Sequence, residues 1–153
     1  MKGQDEQEFK ERVKDFYQEQ VAHRLRPGAI QVIKEHQKKG DLCYLMTNAS
    51  APLSALFVQA LNLDGMVCNH FASDQGILTG EIQGELCFGS GKLRQATKLM
   101  EKYGSHLEQA SFYSDSHSDL PLLEAVGYPY VVHPDRRLKV VADQRQWPIL
   151  DWS

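Results

Sequence analysis

Cysteine is scarce in this sequence: three in 153 residues, Cys43, Cys68 and Cys87, far apart and with no C-x-x-C pair. That excludes a disulfide framework and a zinc ribbon, since Cys68-Asn69-His70 offers at most two ligands where a tetrahedral site needs four. The thiols read as packing residues in a reducing compartment, and the cytoplasm is the expected location. Positive charge is not in excess either. Lys and Arg number 17 against 20 Asp and Glu, giving a formal net charge of -3 and a pI near 6.0. The basic surface that nucleic acid or an anionic membrane requires is missing, so neither is expected as a partner and small-molecule chemistry takes their place. No apolar run reaches the roughly 18 residues of a spanning helix, and Met1-Lys2-Gly3-Gln4-Asp5-Glu6 lacks the apolar stretch of a signal peptide. Repeats, low-complexity tracts and an interior linker are absent as well.

What is present is one domain's worth of chain, apolar enough at 42% to bury a core. Residues 6 to 24 are charged with an apolar stripe, Phe9, Val13, Phe16, Tyr17 and Val21, near helical spacing. Arg26-Pro27-Gly28 ends that helix, and a second runs from Ala29 to Lys38-Lys39-Gly40, a cationic last turn and a stop. A buried strand, Leu42-Cys43-Tyr44-Leu45-Met46, ends at Thr47-Asn48, and Ser50 and Pro52 open the next helix, which closes near Gly65. Residues 66 to 71 read as a strand followed by a small antiparallel excursion through residues 74 to 82. A helix over 93 to 102, a short strand ending at Tyr113, a helix after Asp119, a strand over 128 to 132 and a helix through Leu138, Val140 and Val141 complete the pattern, with Trp147-Pro148-Ile149-Leu150 tucking in the end. Strands alternating with helices predict an α/β fold, a doubly wound, Rossmann-like parallel sheet in three layers.

The stretch Tyr113-Ser114-Asp115-Ser116-His117-Ser118-Asp119-Leu120-Pro121 is the most informative. It puts two carboxylates, Asp115 and Asp119, in one loop between a strand and a helix, at the carboxyl end of the sheet where ligands gather. A hard divalent cation takes oxygen ligands from such a pair, and without one the carboxylates repel. The simpler reading is that Asp119 or Ser118 caps the helix, with Pro121 in its first turn. Thr47 lies at the end of the first strand, where a hydroxyl and the next backbone N–H groups can face an anion; the simpler alternative is a turn threonine. Lys92 follows Gly89 and Gly91, so backbone can approach a phosphate while the ammonium supplies charge; the alternative is a solvated surface lysine. Gly89-Ser90-Gly91-Lys92 is not a Walker loop, because Leu86 and Leu93 stand where glycine and a hydroxyl are needed, nor a dinucleotide fingerprint, because Arg94 replaces the third glycine.

In order along the chain, Thr47, Lys92 and the pair Asp115 and Asp119 resemble the second, third and fourth motifs of the haloacid dehalogenase-like phosphatases. Arg26-Pro27-Gly28-Ala29, Cys87-Phe88-Gly89-Ser90-Gly91-Lys92, the carboxylate stretch through Leu123 and Trp147-Pro148-Ile149-Leu150-Asp151 look like the branch related to phosphoserine phosphatase. The resemblance implies a core from residue 26 to 153 that lacks the family's first strand, with residues 1 to 25 a remnant of a helical cap. It also implies roles. Thr47 and Asn48 would bind phosphate, Lys92 would neutralise charge on nucleophile and phosphate, Asp115 would ligate magnesium and Asp119 would support that metal site. A small phosphorylated metabolite is the implied substrate, its identity governed largely by the cap. Ser118 departs from the family's usual Asn.

The larger departure is the nucleophile. The family's reaction starts from an Asp in D-x-D-x-T after the first strand, and this chain has no such motif; Asp5 and Asp15 sit in a polar helical segment and Asp151 near the end. Loss of a covalent nucleophile costs on the order of a millionfold in turnover, so the chain alone is expected to be a truncated, inactive phosphatase core. A missing central strand of about five buried residues at ~2 kcal/mol each is comparable with a domain's net stability. Self-association through exposed strand edges is the expected remedy. The alternative is a non-catalytic module that keeps phosphate and magnesium binding or serves only in interactions. A receiver-like domain fits less well, since its acidic pair follows the first strand.

Overall fold

The computed structural model describes residues 1–153, which form two compact units, Met1–Cys87 and Phe88–Ser153. In the first unit, Asp5 caps helix α1 (Glu6–Phe16), its Oδ1 accepting from the backbone N–H groups of Gln7 and Glu8 at 2.8 and 2.9 Å. The single helix expected over residues 6 to 24 is divided: α1 passes into a π turn, Tyr17–Val21, and then a 3-10 turn, Ala22–Arg24. Tyr17 is the residue buried by that change, and it sits edge-on to Phe57 with centroids 5.3 Å apart. Helix α2 (Pro27–Lys39) starts on proline and stops at Gly40, whose φ of 83° suits a residue without Cβ.

Strand β1 (Tyr44–Ser50), helix α3 (Ala51–Leu61) and strand β2 (Gly65–Asp74) form a parallel crossover, and β3 (Ile77–Gln83) returns antiparallel to β2, giving a sheet in the order β1-β2-β3. Gly65 lies opposite Tyr44, and a Cβ there would stand 2.5 Å from the tyrosine ring, so that register requires glycine. Asp64 clamps the start of β1 through both of its polar ends. Its carboxylate accepts from Cys43 N at 2.7 Å and its own N–H donates to Cys43 O at 2.8 Å. The parallel register breaks between Met46 and Ser50, where Thr47 and Asn48 stand. The first residues pair with β3 as well: Gly3 N donates to Leu78 O and Leu78 N to Gln4 O.

The second unit holds helix α4 (Ser90–Lys102), strand β4 (Ser111–Ser114), helix α5 (Leu120–Ala125), strand β5 (Tyr128–Val132), helix α6 (Arg136–Arg145) and strand β6 (Ile149–Leu150). Its three strands are all parallel, in the order β4-β5-β6. The tail expected only to tuck in thus completes the sheet, Val131 N donating to Pro148 O at 2.9 Å. Leu123, Val131, Leu138 and Ala142, fully buried, make the core, with Phe112 and Trp147 packed against it. Gly127 passes so close to Glu108 O that no side chain fits there. Both units are α/β with parallel pairing, as the alternating pattern predicted.

Candidate active site

The strand-to-helix connection after β4 carries the most organised polar cluster. Phe112 anchors the strand in the core, and the chain leaves Ser114 to turn through a 3-10 segment, His117–Asp119, into α5. Ser116 caps that turn, its hydroxyl accepting from Ser118 N at 3.3 Å. Asp119 does not cap α5. It is buried, 5% exposed, with Oδ2 accepting from Ser114 Oγ at 2.6 Å and Oδ1 2.8 Å from Lys92 Nζ. The ammonium approaches Oδ1 off the line of a hydrogen bond, so this buried oxygen has an ion-pair partner but no hydrogen-bond donor.

Lys92 lies in the first turn of α4, after Gly89, whose φ of 53° and ψ of −126° only glycine adopts readily. It is 8% exposed, so it is not the solvated lysine of the simpler reading. A buried ammonium is stable only with a counter-charge, and Asp119 supplies it. Asp115 behaves differently. Its carboxylate is exposed, while its backbone carbonyl accepts from Asp135 N at 2.8 Å. Asp135 also accepts from His117 N at 2.6 Å and Leu138 N at 2.9 Å, and these backbone donors, His117 first, hold its carboxyl below the usual range. Lys92 and Asp119 are therefore paired directly, whereas Asp115 shares the loop with Asp119 but is tied through its backbone to Asp135.

Thr47 and Asn48 stand at the end of β1 in the first unit. Thr47 Oγ1 accepts from Ala49 N at 3.2 Å, the turn role of the simpler reading, and the Asn48 side chain is exposed. The Asn48 carbonyl accepts from Asn69 Nδ2 at 2.6 Å, and Asn69 Oδ1 accepts from Cys87 N at 2.8 Å. Asn69 is 4% exposed, a buried polar group fully engaged. Sequence reasoning missed Asn69, Ser114 and Asp135. A signal existed for each: an amide inside an apolar strand, a hydroxyl directly before Asp115, and an Asp after His133-Pro134 at a helix start.

The donor set suits a hard cation. The exposed Asp115 carboxylate and the neighbouring hydroxyls are all oxygen, both Asp119 oxygens being engaged by Lys92 and Ser114, and no three His, Cys, Asp or Glu side chains converge into a protein-only cage. Magnesium is held in that fashion, by one or two carboxylates with water and substrate phosphate. Burial pushes the thiols of Cys43 and Cys68 up, away from the reactive thiolate.

A profile of the haloacid dehalogenase-like hydrolases matches residues 1–124. Over 138 residues, 90% of this chain and 45% of the relative, it is 32% identical to a phosphoserine phosphatase of Mycobacterium tuberculosis (strain ATCC 25618 / H37Rv). A crystal structure of a Bordetella pertussis Tohama I protein of unknown function superposes with a TM-score of 0.90 at 28% identity, covering 98% of this chain and 69% of that one. A substrate-bound phosphoserine phosphatase shares the fold at a TM-score of 0.70 and 22% identity, covering 95% of this chain and 71% of that one. The chain belongs to the haloacid dehalogenase-like hydrolase family, and a phosphoserine phosphatase is among the relatives it resembles. It spans about half the length of the first curated relatives it matches.

Proposed function

We propose that this chain is the phosphate-handling core of a magnesium-dependent phosphomonoester hydrolase of the phosphoserine phosphatase type, acting on a small phosphorylated metabolite and inactive as these 153 residues alone. The observation that supports it is the buried Lys92–Asp119 pair, with the exposed Asp115 in the same loop as Asp119. Phosphoryl transfer relies on positioning and charge neutralisation more than on covalent chemistry from the protein. In this reading Asp119 and Ser114 fix the Lys92 ammonium, which then takes up charge on the phosphoryl oxygens. Asp115 is the metal ligand, and Asp119 supports the metal site through Lys92. The Thr47 hydroxyl and the Asn48 backbone hold a phosphoryl oxygen. Magnesium, when bound, supplies further charge neutralisation. The free thiols suit the cytoplasm, and no helix is long and apolar enough to cross a membrane. Residues 1 to 25 belong to the cap in this reading and residues 26 to 153 to the core.

Inactivity follows from the absence of an Asp in D-x-D-x-T within this sequence. The test joins a strand carrying D-x-D-x-T ahead of Met1 and follows release of phosphate from phosphoserine and p-nitrophenyl phosphate. The chain alone should give none, the extended chain a magnesium-dependent turnover that Lys92→Ala abolishes. No turnover of any monoester by a folded extended chain would sink the proposal. The same missing nucleophile favours one alternative, a module that binds phosphate and magnesium without catalysis. It calls for magnesium binding dependent on Asp115 and Asp119 and for no turnover in either form. Self-association belongs to both readings, because β1 has only β2 as a neighbour and β4 only β5, which leaves each an open edge.

A further inference from the structure

We infer that Asp135 is a positioning residue that sets the direction of the Asp115 carboxylate. The inference rests on the reading of Asp115 as the metal ligand and deepens it. The exposed Asp115 side chain makes no hydrogen bond or ion pair to steady it, so the backbone around it decides where the carboxylate points. Asp135 grips that backbone on both sides. Its N–H donates to the Asp115 carbonyl at 2.8 Å, and its Oδ2 accepts from His117 N at 2.6 Å, so the two bonds bracket the peptide units between residues 115 and 117. Asp135 is in turn fixed to rigid structure. Its Oδ1 caps α6 at Leu138 N, 2.9 Å away, and Leu138 and Ala142 on that helix are fully buried in the core. Pro134 stiffens the step before it. A helix cap needs one acceptor oxygen. The carboxylate provides two, and the second is spent on the carboxylate loop rather than on its own helix. Partners that orient a metal ligand commonly matter about 10–100-fold to metal affinity.

That division of labour separates a structural from a positioning role. Asp135→Ser keeps one acceptor for the cap but has none left for His117; Asp135→Asn, also with a single acceptor oxygen, is the second variant; and Asp135→Ala loses cap and grip together. In the full 153-residue chain, thermal melts, amide hydrogen exchange and calorimetric titration with Mg2+ alone are compared. In Asp135→Ser, the Leu138 amide should stay near wild type and the melting temperature should fall less than in Asp135→Ala, while His117 exchanges at least tenfold faster and Mg2+ binds about tenfold more weakly. The inference is overturned if exchange at His117 and the amide shifts of residues 115–117 match wild type, or if the loop loosens and Mg2+ affinity does not change. A wild-type chain that takes up no Mg2+, with a loop that loosens in Asp135→Ser, keeps the grip on the loop and defeats the magnesium part of the proposed function instead.

Discussion

The ends of β4 and β1 are built in different ways. After β4, the buried Asp119 joins the strand, through Ser114, to α4, through Lys92, while Asp135 ties the following loop to α6. After β1, Thr47 turns on Ala49 N, and one buried amide, Asn69, holds the Asn48 carbonyl. The first arrangement fixes a charge in place before any ligand arrives, and such preorganisation is what electrostatic stabilisation of a transition state needs. The second arrangement leaves the Asn48 side chain exposed and fixes no charge. The two strand ends thus have unequal structural support, a buried ion pair at one and a single buried amide at the other.

That inequality can be broken most sharply at Lys92. Lys92→Met leaves the buried Asp119 without its counter-ion, and the loss of one partner of a buried pair costs about 3–5 kcal/mol. The double variant Lys92→Met with Asp119→Leu should recover a good part of this, since replacing both charges by apolar groups is far less costly than stranding one. Chemical denaturation measures both. A single variant as stable as wild type would mean that the pair is more hydrated than its burial implies.

At the other strand end the corresponding break is smaller. Asn69→Leu removes one donor and one acceptor and leaves the Asn48 carbonyl and Cys87 N unsatisfied, at roughly 1–3 kcal/mol. Denaturation should register that loss, and amide exchange at Cys87 should quicken. If the variant loses as much as Lys92→Met does, the two ends are equally braced and the contrast fails.

Much of this was legible in the residues. The residue patterns located the α-helices and all strands but the last, though not the π and 3-10 turns, because each element carries its own pattern and stops, such as Gly40 after Lys39. Two things were not legible. The passage of α1 into a π turn coincides with Tyr17 meeting Phe57, a contact 40 residues away that no local period encodes. The arrangement into two three-stranded sheets, with Ile149-Leu150 as the last strand, depends on non-local pairing too. At the site, the order of Thr47, Lys92, Asp115 and Asp119 suggested a shared chemistry, yet nothing in that order said that Lys92 pairs with Asp119 and leaves Asp115 exposed. Ser114 and Asp135 were overlooked because their importance lies in hydrogen bonds to neighbours, not in a motif of their own.

The finest contrast between the units is electrostatic. Each contains a solvent-accessible carboxylate held below its ordinary range, by different means. Glu6 is lowered chiefly by Lys10, 2.6 Å away, and then by Ser73, whereas Asp135 is lowered by the backbone N–H groups of His117 and Leu138. For both, a folded-state pKa below the unfolded one means a stabilising contribution present above pH ~4 and lost as pH falls through the folded value. Salt separates the two. A surface ion pair is screened, while bonds from backbone N–H groups to a carboxylate depend on contact geometry. In urea titrations between pH 5 and 2, Asp135→Asn should flatten part of the acid-side fall in stability equally at 0.05 and 0.5 M salt. Glu6→Gln should do so only at the lower concentration. An Asp135 effect that vanishes with salt would show that charge, not the backbone donors, keeps that carboxylate ionised.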